Sequence, residues 1–220
     1  MFMKPMLMLE YEQPFDDEGY LFEPMIDGHR LQLSFIGNKA ALYTRHCNDV
    51  TRQYPELHNV PLTESADIVL DGEVAYMNPD TGAIQFQKLI ERYKMKKTSR
   101  IRDARAVMPV CYFVFDILYY NGMDMRTTPL LERKKLLDTI LEENAYFKKL
   151  QYVEGKGMAL FDIVKRFELE GVSCKRSDSL YIEGKTANWL KVKNKDYAYL
   201  RGTDTSEEAK IAKSAIQLFS

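Results

Sequence analysis

Five short clusters bring together residue types that suit the handling of phosphate and a planar ring. In chain order they are Glu23-Pro24-Met25-Ile26-Asp27-Gly28-His29-Arg30, Leu70-Asp71-Gly72-Glu73, Phe113 to Tyr119, Glu170-Gly171-Val172 with Lys175, and Trp189-Leu190-Lys191-Val192-Lys193. Lys191 and Lys193 lie two apart, so on a strand they project from one face and can both address a polyphosphate. A separate run, Arg92, Lys94, Lys96, Lys97, Arg100, Arg102 and Arg105, is opposed within its span by Asp103 alone, and could neutralise a nucleic-acid backbone as readily as it could coat a solvated helix. Taken singly, the other residues have plainer readings: Phe115 as core, Glu73 and Glu170 as exposed side chains or helix caps. The ordered set changes that balance.

The elements that must carry these residues follow from patterning. Strands are predicted over 20–23, 30–35 and 40–44, the last two joined by a hairpin turn at Gly37-Asn38. A further strand over 68–76 runs into the turn formers of 78–82. Apolar residues at three- and four-residue spacing predict helices over 86–97, 131–141 and 158–169, and a short tail helix over 207–219 after a polar linker. The apolar segment 110–120 reads as a central strand buried on both faces, and strands resume at 172–175 and 189–193. Without regular βαβ alternation, the class is α+β, with one domain over 1–198 and a linker and tail over 199–220.

The five clusters, in this order and spacing, resemble the motifs of the covalent nucleotidyltransferases, and most closely the adenylation domain of ATP-dependent DNA ligases, over about residues 4–197. The segments 45–51 and 175–181 favour ligases over the capping enzymes of the superfamily. The resemblance implies antiparallel sheets packed with helices around an ATP cleft. It also implies roles in DNA repair or replication, and three in-line transfers: AMP from ATP to a lysine, AMP to a DNA 5′-phosphate, and displacement of that AMP by a 3′-hydroxyl. Carried over residue by residue, Phe115 stacks on adenine, Glu23 sits beside the base at the rim, and Arg30, Arg45 and Glu73 hold the ribose or a nearby phosphate. Lys191 and Lys193 clamp the triphosphate, while Glu170, with Glu73, serves Mg²⁺ directly or through water. Lys94, Lys96, Lys97, Arg100 and Arg102 are the expected contacts to nicked duplex DNA.

The family pattern Lys-x-Asp-Gly-x-Arg is met here except at its first residue, which is Met25. A thioether has no proton to release and cannot form the neutral phosphoramidate, so self-adenylation is expected to fail while ATP binding survives. Ligases of this family continue into an OB domain; the 27 residues after Lys193 are too few for such a barrel, which suggests its absence or a protein partner supplying it. The competing reading is a ligase-fold pseudoenzyme that binds nucleotide or DNA as a regulatory protein, with an RNA ligase- or capping-type transferase behind it. A net charge of −1 does not by itself announce a nucleic-acid binder, and no apolar stretch approaches the roughly 18 residues of a membrane helix. Cys47, Cys111 and Cys174, with three scattered histidines, form no metal or disulfide pattern. A monomer in the cytoplasm, with reduced thiols, is the expectation.

Overall fold

The computed structural model describes residues 1–197. In chain order it contains β1 (Met6–Glu10), β2 (Asp17–Pro24), β3 (His29–Ile36), β4 (Lys39–Thr44), β5 (Ile68–Tyr76), α1 (Phe86–Lys94), α2 (Thr98–Val107), β6 (Val110–Tyr120), β7 (Met123–Asp124), α3 (Leu130–Ile140), β8 (Phe147–Lys149), β9 (Val153–Gly155), α4 (Gly157–Arg166), β10 (Gly171–Arg176) and β11 (Gly184–Lys193). These form two sheets, one ordered β1-β11-β10-β2-β9 and the other β4-β3-β5-β6-β7, with β8 on β6. The α+β class is therefore as expected, and the sheets are largely antiparallel; β1 on β11 and β8 on β6 are parallel exceptions.

Alternation along the strands gives each sheet two faces with different tasks. In the first sheet, Phe22, Val172, Cys174 and Val192 pack beneath α4, in one core with Leu160, Phe161 and Val164. Residues of opposite parity, including Glu23, Ser173, Lys175 and Trp189, line a cleft instead. In the second sheet Leu31, Leu33, Leu70, Tyr112 and Val114 join the largest core with Leu89 of α1 and Leu137 and Ile140 of α3. From that sheet Arg30, Glu73 and Phe115 reach the same cleft.

Several expectations hold. Gly37 and Asn38 both take positive φ (56° and 60°), the left-handed pair that a two-residue hairpin turn needs. Strand β6 is buried from Val110 to Leu118. The helix expected over 86–97 is shorter: α1 ends at Lys94 and Met95 is extended (ψ 130°), and a second helix that was not expected, α2, begins at Thr98. The seven-residue basic run hid α2, which buries only Ile101 and Ala104. Strands β1, β7, β8 and β9 were not expected, because their short segments lack a bounded alternating pattern. The tail helix over 207–219 lies outside the described residues.

Candidate nucleotide site

Strand β2 ends at Pro24, and Met25 continues its course, its N–H donating to Gly171 O at 2.9 Å. That bond ties the first motif to the fourth. The turn back into β3 passes through Gly28, where a Cβ would fall 2.2 Å from Val74 O. No side chain fits there, so the glycine is required by close backbone approach to β5. Gly171 is constrained in the same way: a Cβ would meet Val192 O at 2.4 Å and the Met25 sulfur at 3.2 Å.

The cleft between the sheets encloses about 450 Å³ of empty space, counting its open mouth, and Met25, Arg30, Glu73, Phe115, Lys175 and Trp189 are among its lining residues. All five sequence clusters therefore reach it, the first through several side chains and the others through Glu73, Phe115, Lys175 and Trp189 in turn. Arg45 is not brought there. It stands exposed on the turn after β4, outside the set of residues that line the cleft.

Glu23 is not at the rim. It is fully buried at the cleft floor, where its carboxylate is gripped by the ammonium groups of Lys134, from α3, and Lys175, the latter at 2.5 Å. Burial alone would raise the Glu23 carboxyl; the two lysine charges overcome this and hold it below the usual carboxylate range. Two ammonium groups share that one carboxylate, so burial wins at Lys175 and lowers it. The Lys175 nitrogen lies 4.2 Å from the centre of the Phe115 ring and 4.4 Å from that of Trp189.

Arg30 is also committed within the protein. Its guanidinium makes a forked pair with Asp71 (3.1 and 2.7 Å), and Tyr181 donates its hydroxyl to the same carboxylate at 2.5 Å. Burial opposes the Arg30 charge, but Asp71 and its neighbours raise its pKa regardless. Arg30 still lies over Phe115, 5.2 Å from the ring centre. Behind Phe115, the adjacent Asp116 takes a forked pair from Arg133 of α3 at 2.7 and 2.8 Å, with both side chains wholly buried. Asp71, Lys134, Tyr181, Arg133 and Asp116 are the residues that sequence reasoning missed as parts of the site. Asp71 and Asp116 stood inside the motifs and Tyr181 inside the segment 175–181; for Lys134 and Arg133, no local spacing points to the partner.

Lys191 and Lys193 do share one face of β11, and both reach Glu10 of β1, at 3.3 and 2.8 Å. Glu10 thus supplies an anion where a phosphate group was expected. Glu73 sits across from Arg30 on paired strands. Its carboxyl is pushed well up by burial first; Arg30 opposes, while Glu170, Asp71 and Asp27 push further. Among the described residues no three acidic, histidine or cysteine side chains gather as a metal centre.

Away from the cleft, Lys94, Lys96, Lys97, Arg100 and Arg102 are exposed along α1, α2 and their connection. Arg92 leaves this group. It is fully buried and paired with Glu56 at 2.7 Å, so it anchors α1 rather than meeting solvent.

The family model described as "ATP dependent DNA ligase domain" matches residues 5–193. The chain is 37% identical over 198 residues to the SPbeta prophage-derived DNA ligase-like protein LigB of Bacillus subtilis, covering 90% of this chain and 69% of that protein. It is 32% identical over 183 residues to a DNA ligase of Saccharolobus islandicus, of which it spans 30%. Among solved structures, mycobacterial DNA ligase D complexed with ATP and MES is similar at 26% identity and a TM-score of 0.68, over 86% of this chain and 60% of that one. The ATP-dependent DNA ligase from bacteriophage T7 in complex with ATP shares the fold at 17% identity and a TM-score of 0.55.

Proposed function

The chain belongs to the ATP-dependent DNA ligase domain family, and we propose that it binds ATP with Mg²⁺ and nicked duplex DNA but does not adenylate itself. One observation carries this reading: residues of all five motifs converge on one cleft, and the residue there in place of the nucleophile is a thioether. The adenine ring stacks on Phe115, the ribose is held by Glu73, and the triphosphate exchanges with Glu10 for Lys191 and Lys193. Mg²⁺, when bound near Glu73 and Glu170, supplies charge neutralisation of phosphate oxygens.

Calorimetric titration with ATP and Mg²⁺ tests the reading. Saturable binding is expected, and Phe115→Ala should weaken it by roughly 1–3 kcal/mol, the scale of one base–aromatic stack. A native chain that takes up no ATP, or a Phe115→Ala variant that binds as well as the native one, would reject the nucleotide assignment.

The exposed cations of α1 and α2 are the proposed DNA contact. Binding measured by fluorescence anisotropy should fall linearly on a logarithmic salt axis, and converting Lys96, Lys97 and Arg100 to glutamine should lower that slope by about 0.9 for each phosphate no longer neutralised. An unchanged slope would return these side chains to the role of solvated surface. Met25 also favours a second reading, in which nucleotide binding regulates a partner rather than feeding a reaction. Restoring a lysine at position 25 separates the two.

A further inference from the structure

The aromatic face expected to receive the base is already covered. Phe115 is 8% exposed and Trp189 is 1% exposed, and the Lys175 nitrogen sits within 4.4 Å of both ring centres. The two rings are themselves edge-to-face with centres 6.4 Å apart, which leaves no room for a purine between them while the ammonium is in place. Contact of a desolvated cation with two aromatic rings is favourable, so this closed arrangement has its own stability.

We propose that Lys175 is a displaceable plug: a nucleobase stacks on Phe115 only after the Lys175 ammonium withdraws from the slot. This rests on the nucleotide reading of the cleft and adds its gating. The local charges favour Lys175 as the group that moves. Glu23 holds two ammonium groups, and when Lys175 leaves, Lys134 still neutralises it. The lysine stem is long and flexible, and Lys175 stands one residue from the exposed Arg176 at the end of β10. Arg30 cannot play this part, because its fork is locked to Asp71 and Tyr181. Apparent affinity is then the affinity of the open slot reduced by the fraction of molecules that are open.

Trp189 is the sole tryptophan of the chain and lines the slot, so its fluorescence reports both plug and ligand. The full chain would be titrated with adenosine, which is neutral and therefore insensitive to the loss of a distant charge, and in parallel with ATP. Lys175→Met removes the plug, leaves Glu23 paired with Lys134, and should tighten adenosine by at least about fivefold. Lys175→Arg keeps a cation on the rings and should bind adenosine no more tightly than the native chain. Adenosine binding by Lys175→Met that is equal to or weaker than native overturns the plug, as does tightening by Lys175→Arg equal to that of Lys175→Met. If neither ATP nor adenosine binds the native chain or the folded variants, the nucleotide reading itself fails and takes the plug with it.

Discussion

Met25→Lys is expected to turn a chain that carries no covalent nucleotide into one that carries AMP after incubation with ATP and Mg²⁺, read by intact mass. The reaction forms a bond between the lysine nitrogen and the α-phosphorus, releases pyrophosphate, and passes one amine proton to solvent. The frame for that exchange stands around Met25. Its backbone is fixed by the bond to Gly171 O at 2.9 Å, and its side chain lines the same cleft as Arg30, Glu73 and Phe115. An unbranched thioether and a lysine stem have similar shape and flexibility, so the exchange disturbs packing little. The effect is all or none, because no thioether can form the phosphoramidate. Covalent AMP on the native chain would defeat the argument from the thioether. A folded Met25→Lys variant that binds ATP yet takes up no AMP would mean that the cleft has lost more than its nucleophile.

How much of this was visible beforehand depends on the range of the interaction. The Gly37-Asn38 turn and the buried strand β6 were legible because each is decided by a few neighbouring residues. The α+β class followed from the same local patterns. The surroundings of Glu23 were not legible. Its partners Lys134 and Lys175 lie more than a hundred positions away, and an acid followed by proline near the end of a strand gives no sign that two lysines will bury it. The Arg30 pairing was equally hidden: the register of β3 on β5 sets it across from Glu73, and its guanidinium reaches diagonally to Asp71. Arg92 sat in a run of exposed cations, but its helical phase turned it inward to Glu56. Charge read along the chain shows composition; which of those charges meet solvent is a property of packing.

The buried group at the cleft floor gives the largest expected change in stability. Glu23→Gln keeps the shape but removes the one carboxylate that Lys134 and Lys175 share, leaving two desolvated ammonium groups with no anion between them. Breaking a buried ion pair from one side costs about 3–5 kcal/mol. For a domain of this size that lowers the melting temperature by roughly 2–4 °C per kcal/mol. The pH dependence follows from the depressed carboxyl. Because Glu23 titrates below the ordinary value of 4.5, its stabilisation is complete above that pH and is lost as the pH falls through the folded-state value. The melting difference between native and Glu23→Gln chains should therefore be widest near neutrality and shrink in acid. Adding Lys175→Met to Glu23→Gln removes one of the two stranded cations and should recover part of the loss, a coupling that independent sites do not show. Equal melting temperatures at neutral pH, or a difference that persists unchanged below pH 4.5, would show that the triad is not held by charge.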